Sequence, residues 1–424
     1  MRIVAANLRK LRWFRPIIAA VLLLATTAGQ MQPARSANSL TPVTGARPWL
    51  IVLCRATDVT YKQTLQNIDP VAWYTGLLSD QAPGFGAYWR EASYGLLNID
   101  GSQVKGVYSM SKPASAYFEQ RNGTYFLLDA GVTECLDAAS SDVNIPSFAG
   151  IFVVFPTPID ANGVDVYGGR VASEGGFLEL TYGGQTKLYG FARITNSMPS
   201  HSYIGHEWGH AFGLMHSGGM YNNEYDSAWD VVSGGGKFAP RCDTLNPALR
   251  VYGCPSAHPI AYNKSLLGWL PDERVLTMRR GTTRTITLSQ LATTPSDTSS
   301  YLMVKIPFYL YGTYGNGFYT LEARKQVGFD QIVPGSAVVM HKVDDYFNYY
   351  HGSAQVVDVD NNSNPNDDGA QWKPGETFVS IADGVSVVMC VNAETATGYS
   401  VTIGLDADTC GVKISRQFMP LAQQ

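Results

Sequence analysis

The sequence predicts an α+β protein in two parts, and three observations predict it. Continuous apolar runs at residues 49–54 (WLIVLC) and 150–155 (GIFVVF) read as buried strands. Segments of helical periodicity are interspersed with them, at residues 69–78, 85–93 and 124–139, and another is expected to start after Ser200. From Glu273 onward the texture changes to short alternating runs separated by turn residues, as in an all-β sandwich. The expected parts are residues 47–272, a twisted sheet with helices, and residues 273–415, a sandwich-like β domain. A chain of 424 residues is long enough for both.

Residues 1–37 carry six basic side chains (Arg2, Arg9, Lys10, Arg12, Arg15 and Arg35) and no acidic one. A basic start followed by an apolar run at 17–28 has the form of an export signal, and the run is short for a membrane span. Ala28, Ser36 and Ala37 are the candidate cleavage points, and an uncleaved anchor is the alternative reading. Without these residues the chain keeps 25 basic and 35 acidic groups, a balance that argues against a nucleic-acid partner. Six cysteines in an exported chain suggest disulfides, with fifteen connectivities open. Pairing of neighbours would give Cys54–Cys135, Cys242–Cys254 and Cys390–Cys410. No two cysteines have zinc-finger spacing.

In chain order, Asp69 before Pro70 is a helix start, a cap followed by proline at the first helical position. The next helix puts Phe85, Trp89 and Ala92 on one side, and Gly95 is its expected stop. Residues 164–184, rich in glycine, read as loop and hairpin, and residues 188–194 (LYGFARI) as a strand. Ser200 is then a reasonable N-cap for the helix that matters most.

That helix carries HEWGHAFGLMH, residues 206–216, in the pattern H-E-x-x-H-x-x-G-x-x-H. His206 and His210 are four apart and leave one helical face together. Glu207 lies beside the first of them, in reach of a metal-bound water. Gly213 can take the left-handed conformation that ends the helix, which returns His216 as a third ligand. Three imidazoles leave one tetrahedral position open, as catalytic zinc requires. A chance match of the five fixed positions in a chain this long has a probability on the order of 10⁻⁴ or below. Of the other histidines, His201 is expected on the surface of the first turn, and His258, His341 and His351 lack ligand spacing.

With these residues the chain resembles the metzincin class of zinc endopeptidases. The segment PGFGAYWREASYGLLNIDG (83–101) is similar to the gametolysin-like and immune-inhibitor-A-like metallopeptidases, as are GFYTLEARKQVGFD and PGSAVVMHKVDD further on. The resemblance implies a secreted, Zn²⁺-dependent endopeptidase with His206, His210 and His216 as ligands, Glu207 as general base and a protein or peptide substrate. It also implies that strand 188–194 lies at the sheet edge, where substrate pairs with it. Metzincins place a methionine in a turn beneath the ligands, two residues after an Asp; here Asp230 matches the Asp and Val232 stands at the methionine position. Met220 follows His216 too closely to serve, and Gly234 stands where some members have a tyrosine ligand. Two alternatives remain open: a catalytically weak or inactive binding protein for peptide or glycan, resting on Val232, and a hydrolase of a non-protein amide.

In the second part, Asp358, Asp360, Asn362, Asn364, Asp367 and Asp368 cluster oxygen ligands of the kind that hold calcium. The spacing departs from an EF-hand at Ser363 and Gly369, and an Asx-rich turn is the competing reading. Residues 311–319 (YGTYGNGFY) suit a hairpin with cross-strand aromatics or a sugar-binding surface. Asn122, Asn263 and Asn361 sit in glycosylation sequons.

Overall fold

The computed structural model describes residues 31–32, 42–59, 61, 69–158, 166–167, 173–195, 200–221, 225–235, 241–311, 315–344, 354–382 and 385–414. His351 and all of the expected export signal except residues 31–32 lie outside the described residues. The fold is α+β and dominated by sheets.

The first sheet has six strands: β1 (Met31–Gln32), β2 (Trp49–Arg55), β3 (Gln103–Ser109), β4 (Gly150–Val154), β5 (Glu174–Tyr182) and β6 (Gln185–Ile194). Their order is β1-β5-β6-β4-β2-β3. β3, β2, β4 and β6 run parallel, and β5 returns antiparallel to β6. A parallel strand is covered on both faces, which is why β2 and β4 read as unbroken apolar runs. On one face Trp49, Ile51, Leu53, Phe152 and Val154 pack against Phe85, Trp89, Ile204 and Trp208 of two helices. On the other, Leu50, Val52, Ile151 and Val153 meet Val132, Leu136 and Ala139 of a third. Trp49 stacks on Trp208 with ring centroids 4.0 Å apart, so β2 and the helix that carries the histidines are in contact.

The helices are α1 (Pro70–Leu77), α2 (Phe85–Ala92), α3 (Asp129–Ala139), α4 (His201–Ala211) and α5 (Ala261–Leu266). Asp69 caps α1 by accepting from the Val71 and Ala72 amides at 2.9 and 3.1 Å. The helix expected over 124–139 starts only at Asp129. Thr124–Leu127 is a strand paired with Phe118–Arg121, because Asn122 and Gly123 take positive φ (51° and 82°) and close a tight hairpin. The strand expected at the sheet edge, 188–194, is instead an interior part of β6. The β5–β6 hairpin, turned by Gly183 and Gly184, puts β5 between β6 and the short edge strand β1.

The second part contains two sheets. One takes Gly218–Gly219, Ala354–Val356, Ala337–Asp344, Gly315–Arg324, Met303–Tyr311 and Val275–Thr277 in that order; the other takes Thr282–Ser289, Gly398–Leu405, Val385–Thr395 and Thr377–Ala382. They share a core in which Val304, Leu321 and Met340 meet Phe378, Met389, Val401 and Ile403. Residues 311 and 315 end the two strands of a hairpin. The larger sheet reaches back into the first part: Gly218–Gly219 pairs with Gln355 and Val356. Fully buried Arg324 adds a second tie. It bonds Glu322 at 2.9 Å, Asp330 at 2.6 Å and the Trp229 carbonyl at 2.6 Å.

All six cysteines are paired, as Cys54–Cys135, Cys242–Cys254 and Cys390–Cys410, with Cα separations of 5.8, 5.7 and 6.5 Å. Cys54–Cys135 fastens α3 to β2. Among the described residues no helix is long and apolar enough to cross a membrane.

Candidate metal centre

Helix α4 begins where Ser200 Oγ accepts the Tyr203 amide at 3.2 Å. It ends at Gly213, whose φ of 97° turns the chain so that the Leu214 amide donates to Gly209 O at 3.0 Å. That reversal carries His216 back over the helix. His206 and His210 bring their Nε2 atoms to 3.0 Å, and His206 and His216 to 3.1 Å. All three residues offer ligand atoms within 4.8 Å of one another.

The far ring nitrogens settle the tautomers of two of them. His206 Nδ1 contacts the carbonyls of Val231 and Ser233 at 3.0 and 3.1 Å, and His210 Nδ1 contacts that of Leu214 at 2.8 Å. A carbonyl only accepts, so both Nδ1 atoms carry the proton and both Nε2 lone pairs point inward. Lone pairs facing each other repel unless a cation lies between them. Three nitrogens around a tetrahedral zinc at the usual bond length would be spaced by about 3.3 Å, near the separations found here. Burial holds all three imidazoles neutral: His206 falls to about 3, His216 to about 2, and His210 is also lowered. Neutral imidazoles with carbonyl-bound Nδ1–H groups are the form in which histidine binds a metal.

The turn below these rings is built by Asp230 and Val232. Asp230 is fully buried and accepts from Ser217 Oγ and Asn263 Nδ2, both at 2.6 Å, and from the Ile260 amide at 3.3 Å. It thereby ties the residue after His216 to α5. Burial pushes its carboxyl up to about 6. The Ser233 and Gly235 amides close the turn on the Asp230 carbonyl at 3.2 and 3.0 Å. Val232 is buried directly under α4, and a Cβ on Gly209 would overlap its Cγ1. Val232 thus reaches the helix because residue 209 has no side chain. Met220 is 44% exposed and takes no part in this floor. Gly234 donates its amide to Ser227 O at 2.8 Å. Asn263 is only 1% exposed with its amide committed to Asp230, so its sequon is closed to a glycan in the folded chain.

Glu207 is 6% exposed. Burial first, and then the charge of Glu174, push its carboxyl up to about 8. Glu174 opens β5 and is paired with Arg193 of β6. Gly175 crosses directly over α4, where a Cβ would overlap the Glu207 carbonyl. Residues 174–176 pair with β6 on one side, while β1 covers only Phe177 and Leu178. Among the described residues no strand pairs with the outer side of 174–176.

One aromatic side chain stands differently from the sequence expectation, and a second has no counterpart in it. His201 is buried (1% exposed), not on the surface. Its Nδ1 lies 3.0 Å from Ser256 Oγ, and its ring packs on Phe85 at 4.3 Å between centroids. Tyr225, which no spacing singles out, sets its ring 4.9 Å from that of His216 and 5.6 Å from that of His206. His258 and His341 are buried away from the centre.

No family model matches the chain, and no curated protein matches it. Among solved structures, wild-type OgpA from Akkermansia muciniphila aligns with 88% of this chain and 96% of its own, at 11% identity and a TM-score of 0.30.

Proposed function

We propose that this chain is an exported zinc-dependent endopeptidase. The observation that carries the reading is the convergence of His206, His210 and His216 with a buried carboxyl, Glu207, on the adjacent helical position. The three disulfides and the sequence of residues 1–37 support export.

His206, His210 and His216 would hold the ion. Zinc, when bound, supplies Lewis acidity that lowers the pKa of water to about 7 and polarises a carbonyl. Glu207 takes the proton from the attacking water and delivers it to the departing amine nitrogen. The uncovered amides and carbonyls of residues 174–176 suit an extended peptide, which would add a strand at that edge just above Glu207. The packing of Val232 under Gly209 supports a floor that stands without methionine.

The test pairs metal content with turnover. Wild-type protein is expected to hold one zinc per chain and to cleave casein or a peptide library, with inhibition by a hydroxamate. Glu207→Gln should keep the zinc and lose at least 10²–10⁴-fold in rate, whereas His210→Ala should lose both. Stoichiometric zinc with no hydrolysis of any peptide would favour the binding-protein reading that Val232 raises. Turnover retained in Glu207→Gln would refute the role given to that carboxyl.

A further inference from the structure

The acidic segment of the second part lies outside the histidine centre. Asp358, Asp360 and Asp367 each bring a carboxylate oxygen within 4.8 Å of the others. Among the described residues none of the three is paired with a lysine or arginine; the nearby Lys373 goes to Asp368 at 2.6 Å. Such a cluster alone is common on protein surfaces. Here one member is different, because Asp358 is 5% exposed. Its Oδ2 accepts the Tyr221 hydroxyl at 2.6 Å, but its Oδ1 is shut off from solvent and has no hydrogen-bond partner among the described residues.

A buried carboxylate oxygen with no donor is costly unless a proton or a cation meets it. Burial, and then the neighbouring Asp360 against the relief from Tyr221, leaves the Asp358 carboxyl above its ordinary range. Gly369 presses bare backbone against the same oxygens, and a Cβ there would overlap both Asp358 Oδ1 and the Asp360 carboxyl. The carboxylates therefore meet beside a side-chain-free wall.

We propose that Asp358 Oδ1, Asp360 and Asp367 hold one hard divalent cation, with calcium favoured by the all-oxygen donor set. Calcium takes six to eight oxygens in flexible geometry and accepts waters in the remaining positions. The loop that would bind it also grips the segment after the third histidine. Asn366 Oδ1 accepts the Ala228 amide at 2.7 Å, its Nδ2 donates to Asp226 O at 2.6 Å, and Pro365 O accepts Trp229 Nε1 at 3.0 Å. With Tyr221 on Asp358, the bound cation braces Tyr221 and residues 226–229, the latter leading into the turn under the histidines. The cation site does not depend on the peptidase reading.

The experiment is thermal melting of the full chain after chelator treatment, titrated with calcium chloride and, separately, magnesium chloride. Calorimetry on the same material counts the ions. One calcium per chain and a Tm that rises by several degrees, more with calcium than with magnesium, is the expected result. Asp360→Asn and Asp367→Asn alter side chains at the outer part of the cluster; each should fold, keep the cation-free Tm, and lose most of the calcium shift. His210→Ala removes the histidine centre and should keep the shift, so failure of the zinc reading leaves this one intact. An equal calcium shift in wild type and in both Asn variants, or no shift at concentrations about tenfold above the millimolar range of weak extracellular calcium modules, would overturn the proposal.

Discussion

The contact between Gly209 and Val232 makes a prediction that can be worked through in numbers. In Gly209→Ala the new methyl meets one close neighbour, Val232 Cγ1; the next atoms, Leu214 Cδ1 and Val232 Cβ, are 3.9 Å away. Alanine in a helix interior gains about 0.5–1 kcal/mol over glycine. Overpacking a buried site costs about 1–3 kcal/mol. Valine is stiff at χ1 and has no easy way to move aside. The single variant should therefore lose on the order of 1 kcal/mol net. Val232→Ala removes two buried methyl groups, for about 1.6 kcal/mol plus a cavity term, or about 2 in all. In the double variant the alanine methyl enters the space that valine vacates. The clash is gone, part of the cavity is filled, and the helix gain remains. Additivity predicts a loss of about 3 kcal/mol; the structure predicts about 1, a coupling of about 2 kcal/mol. Urea unfolding of all four proteins, metal-saturated and metal-stripped, measures it. Zinc content should follow the same order, because the turn that carries Val232 also supplies the Val231 and Ser233 carbonyls to His206. A coupling within about 0.5 kcal/mol of zero would show that Val232 is not the floor of the helix.

Two further predictions concern groups buried away from the three clustered histidines. His201 titrates at about 3 in the fold because burial disfavours its charge, against 6.5 ordinarily. Between those values the unfolded chain binds the proton and the folded chain does not, so this contribution is complete above pH 6.5 and is lost as pH falls towards 3. At pH 4 the loss from this residue is about 3 kcal/mol. His201→Phe, placed among Phe85, Tyr88 and Phe329, should flatten the acid limb of a stability–pH curve by that amount, and an unchanged limb would contradict the linkage. Arg324→Met leaves Glu322 and Asp330 buried without their counterion and should cost about 3–5 kcal/mol by denaturant unfolding. Adding Glu322→Gln and Asp330→Asn should recover much of it, whereas a loss below about 1 kcal/mol for the single variant would mean that the cluster is hydrated.

What the sequence made legible was local. The histidine spacing along one helix, the capping of α1 and α4, the stop at Gly213 and the apolar runs of β2 and β4 each depend on residues a few positions apart. The pairing of the cysteines follows nearest neighbours along the chain, although the partners are 81, 12 and 20 residues apart. The misreadings share a different origin. Helical periodicity over 124–139 hid the Asn122–Gly123 turn, which overrides periodicity by fixing positive φ at two residues in succession. Strand 188–194 was expected at the edge, but edge position depends on which partners a strand finds across the sheet. The burial of His201 depends on Phe85 and Phe329, far from it on either side in sequence. Tyr225 reaches the histidines, and Val232 reaches Gly209, through a turn whose course is set by Asp230 and Arg324. None of these contacts leaves a periodic trace in the chain.

The pairing of Gly218–Gly219 with residues 355 and 356, together with the grip of Pro365 and Asn366 on residues 226–229, bears on the order in which this protein comes into being. A ribosome delivers the three histidines roughly 140 residues before it delivers the strand and loop that brace the neighbouring segment. Until residues 354–366 have emerged, Gly218–Gly219 and residues 226–229 lack those partners, and the half-made chain carries the three histidines beside an unbraced segment. A truncation after residue 272 would freeze the protein at that stage.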